Sequence, residues 1–292
     1  MPALQPSAGP RGPHLPPAER LPALTGNAAP APATGDALTL LTLGRLEVTG
    51  RIVDASNATL YGEVSLDGVT AACVYKPVRG ERPLWDFPDG TLAGREVSAY
   101  LVSAASGWDL VPPTVLRDGP FGPGMCQLWI DTEEIDSLVD VVPRDAVPAG
   151  WKSVVDGTGI GGVPVTVAHA DDVRLRRLAV LDAVLNNADR KGGHLLLESD
   201  RLYGVDHGIC FHHEDKLRTV LWGWGGDRLP EEAVDTLRRL RADLDGGLGD
   251  LLHEHLTRRE VAKTARRVDR LLSTGRYPRP GGDWPAVPWP PF

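Results

Sequence analysis

The chain has 292 residues, 42% of them apolar, and a net charge of -8 from 31 basic and 39 acidic side chains. That is enough apolar surface for one large domain or two small ones, and the wrong sign for nucleic acid as the default partner. Cys73, Cys126 and Cys210 lie far apart with no CxxC spacing, which excludes a zinc ribbon or a disulfide framework and suits a reducing cytoplasm. No run approaches 18 apolar residues and Met1-Pro2-Ala3-Leu4 lacks a basic n-region, so neither an integral membrane segment nor an export signal is expected.

In chain order, residues 1–36 alternate Pro and Ala with few large apolar side chains, a composition that cannot offset the entropy of ordering, and are expected to form a disordered leader. From Thr39 the texture changes. Leu46 to Val53 and Ala58 to Leu66 alternate as strands do, and Asp67-Gly68 gives a hairpin turn into a third strand, Val69 to Pro77. Val97, Tyr100, Leu101 and Ala104 fall at i, i+3, i+4 and i+7, which predicts an amphipathic helix closed by Gly107. Val111 to Leu116 and Met125 to Ile130 read as two more strands about the turn Asp118-Gly119-Pro120, so residues 37–130 form a β-rich lobe.

Residues 131 to 169 are rich in Gly, Pro and Asp with weak periodicity, and no element is assigned within them. Asp171 to Asn186 is strongly helical, and two short strands, Leu195-Leu196-Leu197 and Leu202 to Val205, follow. Glu231 to Leu244 and Leu248 to Leu272 are helical by period and end before Gly275, giving a helical lobe over 131–275. The tail 276–292 is rich in Pro and Trp and is expected to dock on the chain's own surface, and Trp222-Gly223-Trp224 to pack within the helical lobe.

The segment Asn186-Asn187-Ala188-Asp189-Arg190-Lys191-Gly192-Gly193-His194, with Asp206-His207-Gly208 beyond the next strands, carries the sharpest chemistry. One loop carboxylate can accept a hydroxyl proton, while a ligand five residues on and a second carboxylate after a strand can share a metal. A nearby cation can neutralise phosphate, and these are the needs of phosphoryl transfer. The glycine pair suits a tight turn between them. Lys76 ends a hairpin strand and Glu96 follows twenty residues later on the helix, an order that suits an ion pair holding a lysine against nucleotide phosphates. A rival metal cluster for hydrolysis would use His207, His212 and His213, but neighbouring residues on a strand point to opposite faces.

In these residues the chain, over roughly residues 40 to 275, resembles the protein-kinase-like superfamily in its phosphatidylinositol 3/4-kinase-like branch. It is similar to type II phosphatidylinositol 4-kinases and HipA-type kinases, and Asn186 to His194 resembles an actinobacterial group within that branch. The resemblance implies an α+β, two-lobed protein-kinase-like fold and an ATP-dependent phosphotransferase. It makes Asp189 the catalytic-loop aspartate, Asp206 the metal aspartate, Lys76 and Glu96 the phosphate lysine and its partner, and Arg190 and Lys191 a basic pair on phosphate or substrate. Gln127 to Asp131 resembles the hinge, with Ile130 meeting the adenine edge, and Ser56 and Asn57 fall in the turn over the phosphates. That turn lacks glycine between Gly50 and Gly62, and His194 stands where most kinases have asparagine; imidazole suits Mn2+ better than Mg2+. The acceptor is a hydroxyl of a lipid, a protein or a small metabolite. The alternatives are a nucleotide-binding pseudokinase that serves as a regulatory module, and a nucleotidyl (AMP) transferase.

Overall fold

The computed structural model describes residues 34–52, 57–132, 138–281 and 285–292. Most of the expected leader, and Ser56 in the expected phosphate turn, lie outside these residues. The described chain opens with helix α1 (Thr34–Leu43), where a leader to residue 36 and then the start of a β-rich lobe were expected. Asp36 in its first turn complements the helix dipole, and Ala37, Leu40 and Leu41 are buried against the first sheet.

That sheet is antiparallel in the order β1-β2-β3-β5-β4, from β1 (Arg45–Arg51), β2 (Leu60–Leu66), β3 (Val69–Pro77), β4 (Thr114–Gly119) and β5 (Gly122–Leu128). The three opening strands follow the expected meander. Asp67 and Gly68 turn the β2–β3 hairpin with φ of 49° and 83°, the left-handed pair that a two-residue turn demands. Helix α2 (Leu92–Ser106) starts where Thr91 Oγ1 accepts the Gly94 N–H at 2.9 Å and where the Glu81 carboxylate accepts the N–H groups of Leu92 and Ala93 at 2.9 and 2.8 Å. It stops at Gly107, φ 72°, as its sequence predicts. Buried Arg95 pins it to the second lobe, donating to Cys210 O at 2.7 Å and pairing with Glu260 at 2.5 Å.

The second lobe departs from the sequence reading at its start. Within 131–170 lie three strands, β6 (Val139–Pro143), β7 (Trp151–Thr158) and β8 (Pro164–Ala170), paired antiparallel in the order β6-β8-β7. Helix α3 (Val173–Leu185) follows, started by the Asp172 side chain accepting the Arg174 N–H and ended by Asn186 at φ 54°. The hairpin β9 (Leu195–Glu198) and β10 (Arg201–Gly204) comes next, then α4 (Glu231–Leu244), α5 (Gly247–His253) and α6 (Arg258–Thr274). Periodicity reads α5 and α6 as one helix. They are separate because Thr257 and Glu260 form a capping box that starts α6 afresh. Leu178, Leu181, Trp224, Leu237, Leu240 and Val268 meet in one buried core, where each fully buried aliphatic side chain contributes roughly 1.5–3 kcal/mol. Trp224 packs in this lobe as its sequence predicts. Among the described residues, no helix is long and apolar enough to cross a membrane.

Candidate active site

Lys76 sits one residue before the end of β3, opposite Met125 of β5, so the sheet register fixes where its side chain leaves the strand. Its ammonium donates to Glu96 Oε1 of α2 at 2.8 Å and to Asp206 Oδ1. The second Glu96 oxygen accepts the His207 N–H at 2.8 Å. A single carboxylate thus ties β3, α2 and the segment after β10 to one point. Burial alone would lower the lysine pKa, but the Asp206 and Glu96 charges outweigh it and hold the ammonium protonated. Asp206 takes a left-handed φ of 59°, and Lys76 keeps its carboxyl well below the usual range against the effect of burial.

Asp189 is placed by the loop that leaves α3. Its N–H donates to Asn187 Oδ1 at 2.9 Å, and the Asn187 amide donates to Asp182 Oδ1 at 2.9 Å. Burial raises the Asp189 pKa, opposed by Lys191 and Arg218. Lys191 Nζ lies 3.7 Å from its Oδ2. His194 Nε2 lies 3.5 Å from Asp206 Oδ2, and burial pushes this imidazole down to about 4, so it stays neutral.

These groups surround a cavity of about 480 Å³ between the lobes. Of the ten residues assigned from sequence, seven border it: Asn57, Lys76, Glu96, Asp189, Lys191, His194 and Asp206. Arg190 does not. It is fully buried, its guanidinium bonded to Asp182 at 3.0 Å, to the Val205 carbonyl at 2.9 Å and to His207 Nε2 at 2.7 Å, which leaves it no role on phosphate or substrate. Ile130 is also away from the cavity, buried in the core of the first lobe and bordering a separate cavity with Leu128 and Tyr203. Ser56 lies outside the described residues.

Two charged cavity residues were missed in the sequence, Glu81 and Arg82. The Arg82 N–H donates to Asn57 Oδ1 at 3.0 Å, and its exposed guanidinium makes no ion pair among the described residues. A charged loop joining the strand of Lys76 to the helix of Glu96 must pass over the cavity both flanks enter, and that was the available signal. The glycine pair also has a different reason from the one expected. Neither Gly192 nor Gly193 has a positive φ. A Cβ on Gly192 would stand 2.0 Å from the Phe292 ring, so its missing side chain admits the tail. The Gly192 N–H donates to Pro291 O at 2.8 Å, and Ala286 O accepts the Thr219 N–H at 3.1 Å, so the tail docks on the chain's own surface, along the back of this loop.

Asp206 and His194 present a carboxylate oxygen and a neutral imidazole nitrogen side by side, a donor pair that fits a divalent cation together with phosphate oxygens. Among the described residues no group of three or more His, Cys, Asp or Glu could hold a metal ion by itself. His212 and His213 are not on a strand; their rings stack at 4.4 Å instead of pointing apart.

No protein-family model matches the chain. Over 259 residues it is 49% identical to Protein Rv2133c of Mycobacterium tuberculosis, covering 85% of this chain and 93% of that protein. Among solved structures it is similar to the Golgi casein kinase with Mn/ADP bound, at TM-score 0.50 and 14% identity over 82% of this chain and 75% of that one. It is similar too to hydra Fam20 with sugar, at TM-score 0.50 and 12% identity over 82% of this chain and 87% of that one. At such identities the likeness is one of fold, and the fold is protein-kinase-like.

Proposed function

The chain belongs to the family of Protein Rv2133c of Mycobacterium tuberculosis, and we propose that it is an ATP-dependent phosphotransferase that moves the γ-phosphoryl group to a hydroxyl. The observation that carries this reading is the convergence of Lys76, Glu96 and Asp206 on one cavity that Asp189 also borders. Lys76 holds nucleotide phosphate while Glu96 fixes its ammonium. Asp189, made more basic by burial, orients the acceptor hydroxyl and takes its proton as the oxygen bonds to the γ-phosphorus. The bond from that phosphorus to the bridging oxygen breaks, and ADP leaves. Asp206 and His194 would hold a divalent cation, which supplies charge neutralisation at the phosphates, and the imidazole favours Mn2+ over Mg2+. The Golgi casein kinase structure, similar in fold, has Mn/ADP bound. Arg82 is positioned to add a further positive charge at the transferred group.

The phosphatidylinositol 3/4-kinase-like resemblance brings in a lipid hydroxyl as acceptor, beside a protein hydroxyl and a soluble metabolite. Three buried, unlinked thiols suit a reducing cytoplasm. The test is purified protein with labelled ATP, Mg2+ or Mn2+, and panels of the three acceptor classes. ADP with a phosphorylated acceptor supports the reading; AMP joined to protein would replace it with nucleotidyl transfer, and binding without turnover with a regulatory module. Asp189→Ala should abolish turnover and keep nucleotide binding, and unchanged turnover would remove Asp189 from the chemistry. His194→Asn should shift the preference from Mn2+ toward Mg2+; an unmoved preference would show that His194 does not touch the metal.

A further inference from the structure

A second cavity, of about 640 Å³, lies in the helical lobe and shares no residue with the one above. Among the described residues, four arginines border it, Arg267 and Arg270 from α6 and Arg276 and Arg279 beyond it, against a single carboxylate, Asp215. That carboxylate is divided, with Arg270 Nη1 at 2.8 Å and Arg267 Nε at 3.4 Å. Arg276 donates to the Gly226 carbonyl at 2.6 Å and makes no ion pair among the described residues; Arg279 makes neither bond nor pair among them. Gly226, φ 87°, leaves the space that the Arg279 guanidinium fills, since a Cβ there would stand 2.4 Å from Arg279 Nε.

The under-compensation is most acute at Arg267. Its side chain is 4% exposed, its Nη1 is buried without a hydrogen-bond partner, and burial pushes its pKa down to about 10. A buried guanidinium sharing one exposed carboxylate is short of negative charge. The remaining wall is largely apolar and aromatic, with Leu217, Trp222, Leu271 and Tyr277, beside polar Asn186 and Thr274. A planar fork of donors suits carboxylate and phosphate alike, but an excess of three positive charges among the described lining residues favours a multiply charged group.

We propose that this cavity binds a small soluble phosphate ester, its phosphoryl group against the arginines and its organic part against Trp222 and Tyr277. The site stands whether or not the chain transfers phosphate, since no catalytic side chain takes part. The cavity wall includes Asn186, the residue that opens the Asp189 loop, and Ala286 of the docked tail.

The experiment is calorimetric titration of the whole protein, in the presence of EDTA, with phenyl phosphate, inorganic phosphate and benzoate. Phenyl phosphate should bind at least about tenfold more tightly than benzoate, as multiple charge-assisted bonds require. Arg276→Ala with Arg279→Ala, both at exposed positions, should weaken phenyl phosphate binding about tenfold or more, and Lys76→Met should leave it unchanged. Absence of phenyl phosphate binding at millimolar concentration, equal affinity for benzoate, or indifference to the arginine substitutions would overturn the proposal. Loss of binding in Lys76→Met with retention in the arginine variant would assign the anion to the catalytic cavity instead. Inorganic phosphate binding as tightly as the ester would remove the role given to Trp222 and Tyr277.

Discussion

Lys76 and Arg190 are both cations held by carboxylates in the middle of the molecule, yet they sit in opposite surroundings. Arg190 and Asp182 are each 0% exposed, and every neighbour of the guanidinium is protein. Lys76 is 19% exposed and its partner Asp206 51%, with the cavity alongside. A sealed pair whose donors are all occupied can fix only its own surroundings. Here those are the Asp189 loop, through Asp182 and Asn187, and the segment after β10, through Val205 and His207. An open pair can exchange one partner for an incoming anion. Sequence treats the two alike, as basic residues among kinase-like motifs; burial separates framework from chemistry.

The largest expected effect tests the sealed pair. Arg190→Met leaves Asp182 as an uncompensated buried charge and should cost about 3–5 kcal/mol of stability, read by denaturant unfolding. Replacing Asp182 by Leu as well should recover part of that loss. Lys76→Met should instead act on turnover, lowering kcat about 100- to 1000-fold, as loss of one charge at a transferred group does, with a smaller stability loss than Arg190→Met. If the two variants unfolded equally readily, the distinction between sealed and open pairs would fail.

The meander β1–β3, the α2 helix with its Gly107 stop, and the spacing of Lys76, Glu96, Asp189 and Asp206 were legible because each rests on local signals: alternation, a two-residue turn, a cap, a motif. The sheet β6–β8 was not. Most positions of β7 are exposed, so it lacks the alternation that marks a half-buried strand, and its pairing with β8 closes through a glycine-rich loop. Helix α1 was missed because its buried residues, Ala37, Leu40 and Leu41, make a run too short to show a helical period. The role of Arg190 had one signal that went unused. Asp182 interrupts the apolar run of α3, and a lone carboxylate in a buried helix requires a partner from elsewhere in the chain. The Ile130 side chain turns into the core of the first lobe, whereas the expected hinge contact would use backbone groups.

A sealed imidazole extends the comparison to pH. Nδ1 of His169 lies 2.9 Å from the Ala170 carbonyl, its Nε2 accepts the Gly223 N–H at 3.1 Å, and its ring packs 4.2 Å from Trp224. The bond from Gly223 assigns the ring proton to Nδ1, and burial pushes the pKa down to about 4. The unfolded chain therefore binds more protons than the folded one between the ordinary histidine value and 4. The stability is fully present above about pH 6.5 and is lost as pH falls toward 4, by up to about 3 kcal/mol from this group. His169→Gln should flatten that part of the stability–pH curve, and an unchanged slope would show that the residue titrates freely in the fold.

The smallest effect lies between the two classes, at Gly192, two residues after sealed Arg190 and two before His194 at the cavity. A methyl group there would collide with the Phe292 ring, so Gly192→Ala must either push the tail off the loop or strain the loop itself. The expected cost is about 1–2 kcal/mol, and the double variant Gly192→Ala with Phe292→Ala separates the outcomes. If the tail yields, removing the ring restores stability and leaves turnover near that of Phe292→Ala alone. If the loop yields, Asp189 and His194 shift with it, and turnover stays depressed in the double variant even after the collision is gone.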